Sequence, residues 1–68
     1  MQYNILDLHI DFFELEASIE SGIIKEIELI NCLKEIKEIK NKHKIILNFQ
    51  QKLTIRKINK KLKEIKNV

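Results

Sequence analysis

Ile5-Leu6-Asp7-Leu8-His9-Ile10-Asp11-Phe12-Phe13-Glu14-Leu15-Glu16-Ala17-Ser18-Ile19 can be scanned with two periods, and the choice between them decides the fold. Ile5, Leu8, Phe12, Leu15 and Ile19 step by three and four along the seam of an amphipathic helix, and Leu6, Ile10, Phe13 and Ala17 widen it. Over a shorter span Leu6, Leu8, Ile10 and Phe12 alternate with Asp7, His9 and Asp11, as a half-buried strand would. The helical period runs longer and absorbs more of the apolar residues, so it predicts a first helix over about 5–20. Asn4 suits the N-cap, and Asp7 falls in the first turn near the positive end of the helix dipole.

Ser21-Gly22 is the strongest punctuation in the chain. Glycine takes the left-handed conformation after a helix without a Cβ clash, so the first helix ends here and a second starts near Ile23. A turn this short predicts antiparallel neighbours. The second helix, about 23–41, carries two stripes: Ile23, Ile27 and Ile30, and then Leu29, Cys32, Leu33, Ile36 and Ile39. Apolar residues on more than one face predict contacts on more than one side, hence a central element. The polar run Lys40-Asn41-Lys42-His43-Lys44 marks the next turn. Beyond it, a third helix over about 45–66 has one stripe of Ile46, Phe49 and Leu53 and a heptad-like seam of Ile55, Ile58, Leu62 and Ile65. The pattern leaves open whether the second and third helices form one rod, roughly 60 Å at about 1.5 Å per residue, or fold back at 40–44.

The expected fold class is all-α: a helical hairpin plus a third helix, a small bundle or coiled-coil-like domain spanning 1–68. At 68 residues a monomeric core is marginal. Oligomerisation, to a homodimer or higher, is therefore expected to complete it, with Ile55, Ile58, Leu62 and Ile65 as the oligomer or partner interface. Composition removes other classes. One cysteine cannot form an internal disulfide, and the longest apolar run, Ile45-Ile46-Leu47, is far short of the ~20 residues that span a bilayer. The N-terminal residues lack the basic and apolar regions of a signal peptide, so the expected location is the cytoplasm, of the host if the chain is viral. The 14 Ile, 12 Lys and 6 Asn are what AT-rich coding produces, which suits a virus or mobile element and discounts arguments from Ile over Leu or Lys over Arg.

Charge is strongly segregated. Residues 1–24 hold five acids and no Lys or Arg, whereas residues 40–68 hold ten bases against Glu64 alone. One reading is that the acidic first helix and the basic third helix complement each other within the bundle or across a dimer, with each exposed pair contributing only ~0–1 kcal/mol. Another is that Lys52, Arg56, Lys57, Lys60, Lys61, Lys63 and Lys66 contact nucleic-acid phosphates or an acidic partner. With one arginine, and no aromatic among the basic residues after Phe49 to give base stacking a platform, such binding would be phosphate-driven and weakly sequence-specific. An amphipathic helix lying on an anionic membrane ranks below both.

Chemistry is sparse. Asp7, His9 and Asp11 have metal-ligand side chains, but on a helix only the two aspartates share a face, so a solvated acidic surface is favoured and no metal is expected. His43 reads as a polar turn residue, and Cys32 as a core residue with no Cys-x-x-Cys partner. Ser18, Ser21 and Thr54 have no triad around them, and a single glycine cannot build a phosphate loop. Neither a catalytic residue nor a cofactor is expected. The function expected is that of a small non-enzymatic interaction module, a regulator or inhibitor of a larger protein, with a nucleic-acid-binding helical dimer as the alternative.

Overall fold

Helix boundaries follow from local capping. The computed structural model describes residues 4–66, which form α1 (Leu6–His9), α2 (Phe12–Ser21), α3 (Glu26–His43) and α4 (Phe49–Lys66) with no strand. The single helix expected over 5–20 is two. Ile10 is extended (φ −132°, ψ 124°), and Asp11 opens α2 as its N-cap, its Oδ1 accepting from the backbone N–H of Phe13 and of Glu14, each at 3.1 Å. A carboxylate on two orphan donors starts a helix there more cheaply than continuing one. Before the break, side chains tie up the start of α1: Leu6 N–H donates to Asn4 Oδ1, and Asn4 N–H donates to Asp7 Oδ2. Gly22 ends α2 at φ 76°, as the punctuation predicts.

The second predicted helix starts three residues late, at Glu26, where Glu26 and Glu28 meet the positive end of its dipole. It also runs on through the polar stretch expected to be a turn. Lys40, Lys42 and His43 lie in its last turn, on the negative end, and the chain reverses only at Lys44, which sits left-handed at φ 53°. The N–H of Ile45 then returns to the carbonyl of Lys40 at 3.1 Å, closing the helix end. Asn48 and Gln51 open α4 as a reciprocal capping box: Gln51 N–H donates to Asn48 Oδ1 at 2.9 Å, and Asn48 N–H donates to Gln51 Oε1 at 3.1 Å.

Because α3 and α4 fold back on each other, the longest dimension is 36 Å, which excludes the rod. Helices α2 and α4 run parallel, since Glu16 meets Gln50 and Lys57 while Glu20 meets Lys57; α3 runs opposite to both. The central element is α4 and not the second predicted helix. It packs on both α2 and α3, and Gln51, Thr54 and Ile58 on its inner face are fully buried. Leu6, Phe12, Leu15, Ile19, Leu29, Ile36 and Ile58 form one core, with α1 delivering Leu6 against α3. Complete burial of a Leu or Ile contributes about 1.5–3 kcal/mol, so Leu6 alone gives the short α1 a reason to dock. Of the Ile23, Ile27 and Ile30 stripe, Ile27 is 60% exposed, with Ile23 at 74% just ahead of the helix, while Ile30 is half-buried.

Candidate interaction surfaces

The Ile55, Ile58, Leu62 and Ile65 seam, expected at an oligomer or partner interface, is largely taken up by the chain's own core. Ile58 is fully buried and the other three are half-buried against it. That placement removes the apolar face on which a membrane-lying α4 would depend. Among the described residues, no helix is long and apolar enough to cross a membrane.

The basic residues of α4 fall into two sets. Lys57 turns toward α2, where its Nζ donates to Glu16 Oε1 and, at 2.9 Å, to Glu20 Oε1; Gln50 Nε2 completes the cluster on Glu16 Oε2 at 2.6 Å. The Lys57 ammonium beside Glu16 holds that carboxyl below its ordinary value against the opposing effect of burial, with Gln50 assisting. The same bonds, to Glu16 first and then Glu20, raise Lys57. Lys61 is half-buried in the α2–α4 groove with Ile19, Glu20 and Glu64. By contrast, Lys52, Arg56, Lys60, Lys63 and Lys66 are all exposed, and among the described residues the ion pairs involve Lys57 alone. The complementarity expected between acidic and basic helices thus exists within the chain, at one lysine.

Most acids of the N-terminal segment have structural partners. Asp7 accepts from Asn4 and from Gln51 Nε2 (3.0 Å), Asp11 caps α2, and Glu16 and Glu20 hold Lys57. His9 is exposed beside them, and among the described residues no group of three or more His, Cys, Asp or Glu is placed to hold a metal ion. His43 is exposed at the end of α3. Cys32 is half-buried against the core; burial, and then the charges of Glu35 and Glu28, push its thiol up and away from the reactive thiolate.

Two arrangements were not anticipated. One is a polar network beneath α1: Asn4 and Gln51 exchange amide bonds, Asn4 Nδ2 to Gln51 Oε1 at 2.9 Å and Gln51 Nε2 to Asn4 Oδ1 at 2.8 Å, while Asn4 Nδ2 also reaches the Ile46 carbonyl. It ties the two capping motifs into one unit. Its sequence signal is a pair of Asn residues, each followed three places later by a side chain able to answer it.

The other is an apolar end. Leu8 (84% exposed), Phe13 (74%), Ile46 (88%) and Phe49 (76%) were read as seam or stripe, yet all face solvent. They lie where parallel α2 and α4 both begin. Phe13 shares a groove with Gln50, the neighbour of Phe49, and Ile46 is tied to Asn4. The signal for this misreading was capping: Asn48 and Gln51 fix the register of α4 so that Phe49, in its first turn, points away from the buried face of Gln51, Thr54 and Ile58. No family model, curated protein or solved structure matches the chain.

Proposed function

We propose that this chain is a small non-enzymatic interaction module, a cytoplasmic regulator or inhibitor that docks on a larger protein through its apolar end. The observation behind this reading is the exposure of Leu8, Phe13, Ile46 and Phe49 together at one end of a bundle that already buries seven apolar residues in its core. A grouping of large apolar side chains in water is the usual mark of a binding surface. Two phenylalanines among them suit the anchor positions that carry most binding energy. Lys44 and Lys52, exposed on either side of Ile46 and Phe49 in the chain, favour a partner with an acidic rim.

The test is affinity capture from the cells that make the protein, comparing the parent with the double variant Leu8→Ser, Phe13→Ser. A single stoichiometric protein should be recovered with the parent and lost with the variant, whose helix content is unchanged. Equal recovery with both would remove the apolar end from the account. A homodimer formed through the same end would instead appear as concentration-dependent self-association that the variant abolishes, with no second protein recovered.

A further inference from the structure

The outward face of α4 carries a site of different chemistry. Lys52, Arg56, Lys60 and Lys63 follow one another by four, four and three residues, and Lys66 comes three later, so all five project from one side of the helix. At about 1.5 Å per residue they span about 21 Å. All are exposed, and among the described residues none is in an ion pair. The one acid of α4, Glu64, flanks the row at Lys60, with which it lines the groove shared with α2. The bundle therefore engages Lys57 for its own packing and leaves a row of five cations bordered by one carboxylate at the Lys60 edge.

Phe49 begins the same row. It stands three residues before Lys52 and seven before Arg56 and is 76% exposed. A ring at the head of a cationic stripe offers nothing extra to a duplex, which presents phosphates to it and keeps its base faces stacked inside. To a single strand it offers a surface for an unstacked base, and stacking does not depend on sequence. Reading by bidentate arginine is limited to one side chain, Arg56, so the surface is built for backbone charge plus stacking and not for base identity.

We infer that the outward face of α4 binds single-stranded nucleic acid, with Lys52, Arg56, Lys60, Lys63 and Lys66 on the phosphates and Phe49 under a base. This site shares Phe49 and Lys52 with the protein-docking reading, but Leu8 and Phe13 lie on α1 and α2, off the stripe, so variants there distinguish the two.

The test uses fluorescence anisotropy with a short oligothymidylate, the matching oligouridylate and a duplex of the same length, between about 50 and 200 mM salt. Five phosphate contacts predict a log–log salt slope of about −3.5 on the single strand. Lys52→Gln, Arg56→Gln and Lys63→Gln together should reduce it to about −1.4. Lys34→Gln, Lys37→Gln and Lys42→Gln, an equal loss of charge from exposed positions on α3, should leave it unchanged. Phe49→Ala should weaken single-strand binding at least about fivefold without changing the slope. Leu8→Ser with Phe13→Ser should change neither. The inference is overturned by no binding at the lowest salt, by equal weakening from the two triple variants, by tighter binding to duplex than to single strand, or by indifference to Phe49→Ala.

Discussion

Gln51 closes its own helix and holds another segment of the chain in place. Its Oε1 accepts from Asn48 N–H and Asn4 Nδ2, and its Nε2 donates to Asn4 Oδ1 and Asp7 Oδ1, all with the side chain fully buried. A leucine would fill the space but remove all four of these bonds, one of them to a carboxylate. Gln51→Leu should therefore cost about 2–3 kcal/mol in urea unfolding, although it makes the core more apolar. Two other residues predict opposite outcomes from one cause. Gly22 sits at φ 76° with open space around the position of a Cβ, so Gly22→Ala meets no neighbour and costs only the strain of an L side chain in the left-handed region, about 1 kcal/mol. Lys44 holds a left-handed conformation (φ 53°) with an exposed side chain, so Lys44→Gly should stabilise by about 0.5–1 kcal/mol. Thermal melts of the two variants moving in opposite directions would establish the backbone as the cause.

At the scale of elements, apolar spacing located every long helix and misplaced where each begins, at Phe12, Glu26 and Phe49 in place of about 5, 23 and 45. The Ile55–Ile65 seam is legible because steps of three and four survive in any register of a buried face, and Ile58 sits fully inside. The break at Ile10–Asp11 was hidden because Ile10 continues the periodic pattern across it; Asp11 overrides that pattern by capping. Ile46 and Phe49 were misread for the related reason that spacing cannot say which side of a helix start is buried. The charge asymmetry was legible as a feature and silent about its use, since choosing Lys57 from ten bases needs the parallel packing of α2 on α4. That pairing carries its own pH dependence. Glu16 is lowered in the folded chain, so its contribution is in place above the ordinary glutamate value of 4.5 and is lost as pH falls through the lower folded value. Lys57 is raised, so its contribution is in place below the ordinary lysine value of 10.5 and is lost as pH rises through the higher folded value. Stability from this cluster should be level between these limits, and Glu16→Gln should flatten the acid limb of a melting-temperature–pH profile. An unchanged acid limb would place the acid sensitivity elsewhere.

Over the whole molecule, the two halves of the charge pattern have unequal fates. Four of the five N-terminal acids serve caps, the polar network or Lys57, whereas five cations of α4 face solvent in a row. Apolar residues divide too: a core absorbs the α4 seam, while Leu8, Phe13, Ile46 and Phe49 at one end, and Ile23 and Ile27 around the start of α3, stay in water. A chain of this size gains little from exposing four large apolar side chains unless something covers them, and docking on a partner follows from that. The most direct measurement is site-specific photo-cross-linking in the cells that make the protein. The reactive side chain is placed at position 8 or 13 on the apolar end, or at position 38 on the exposed, polar side of α3. A docking end gives one discrete protein adduct from positions 8 and 13 and none from position 38. No adduct from the apolar end, or equal adducts from all three positions, would contradict it.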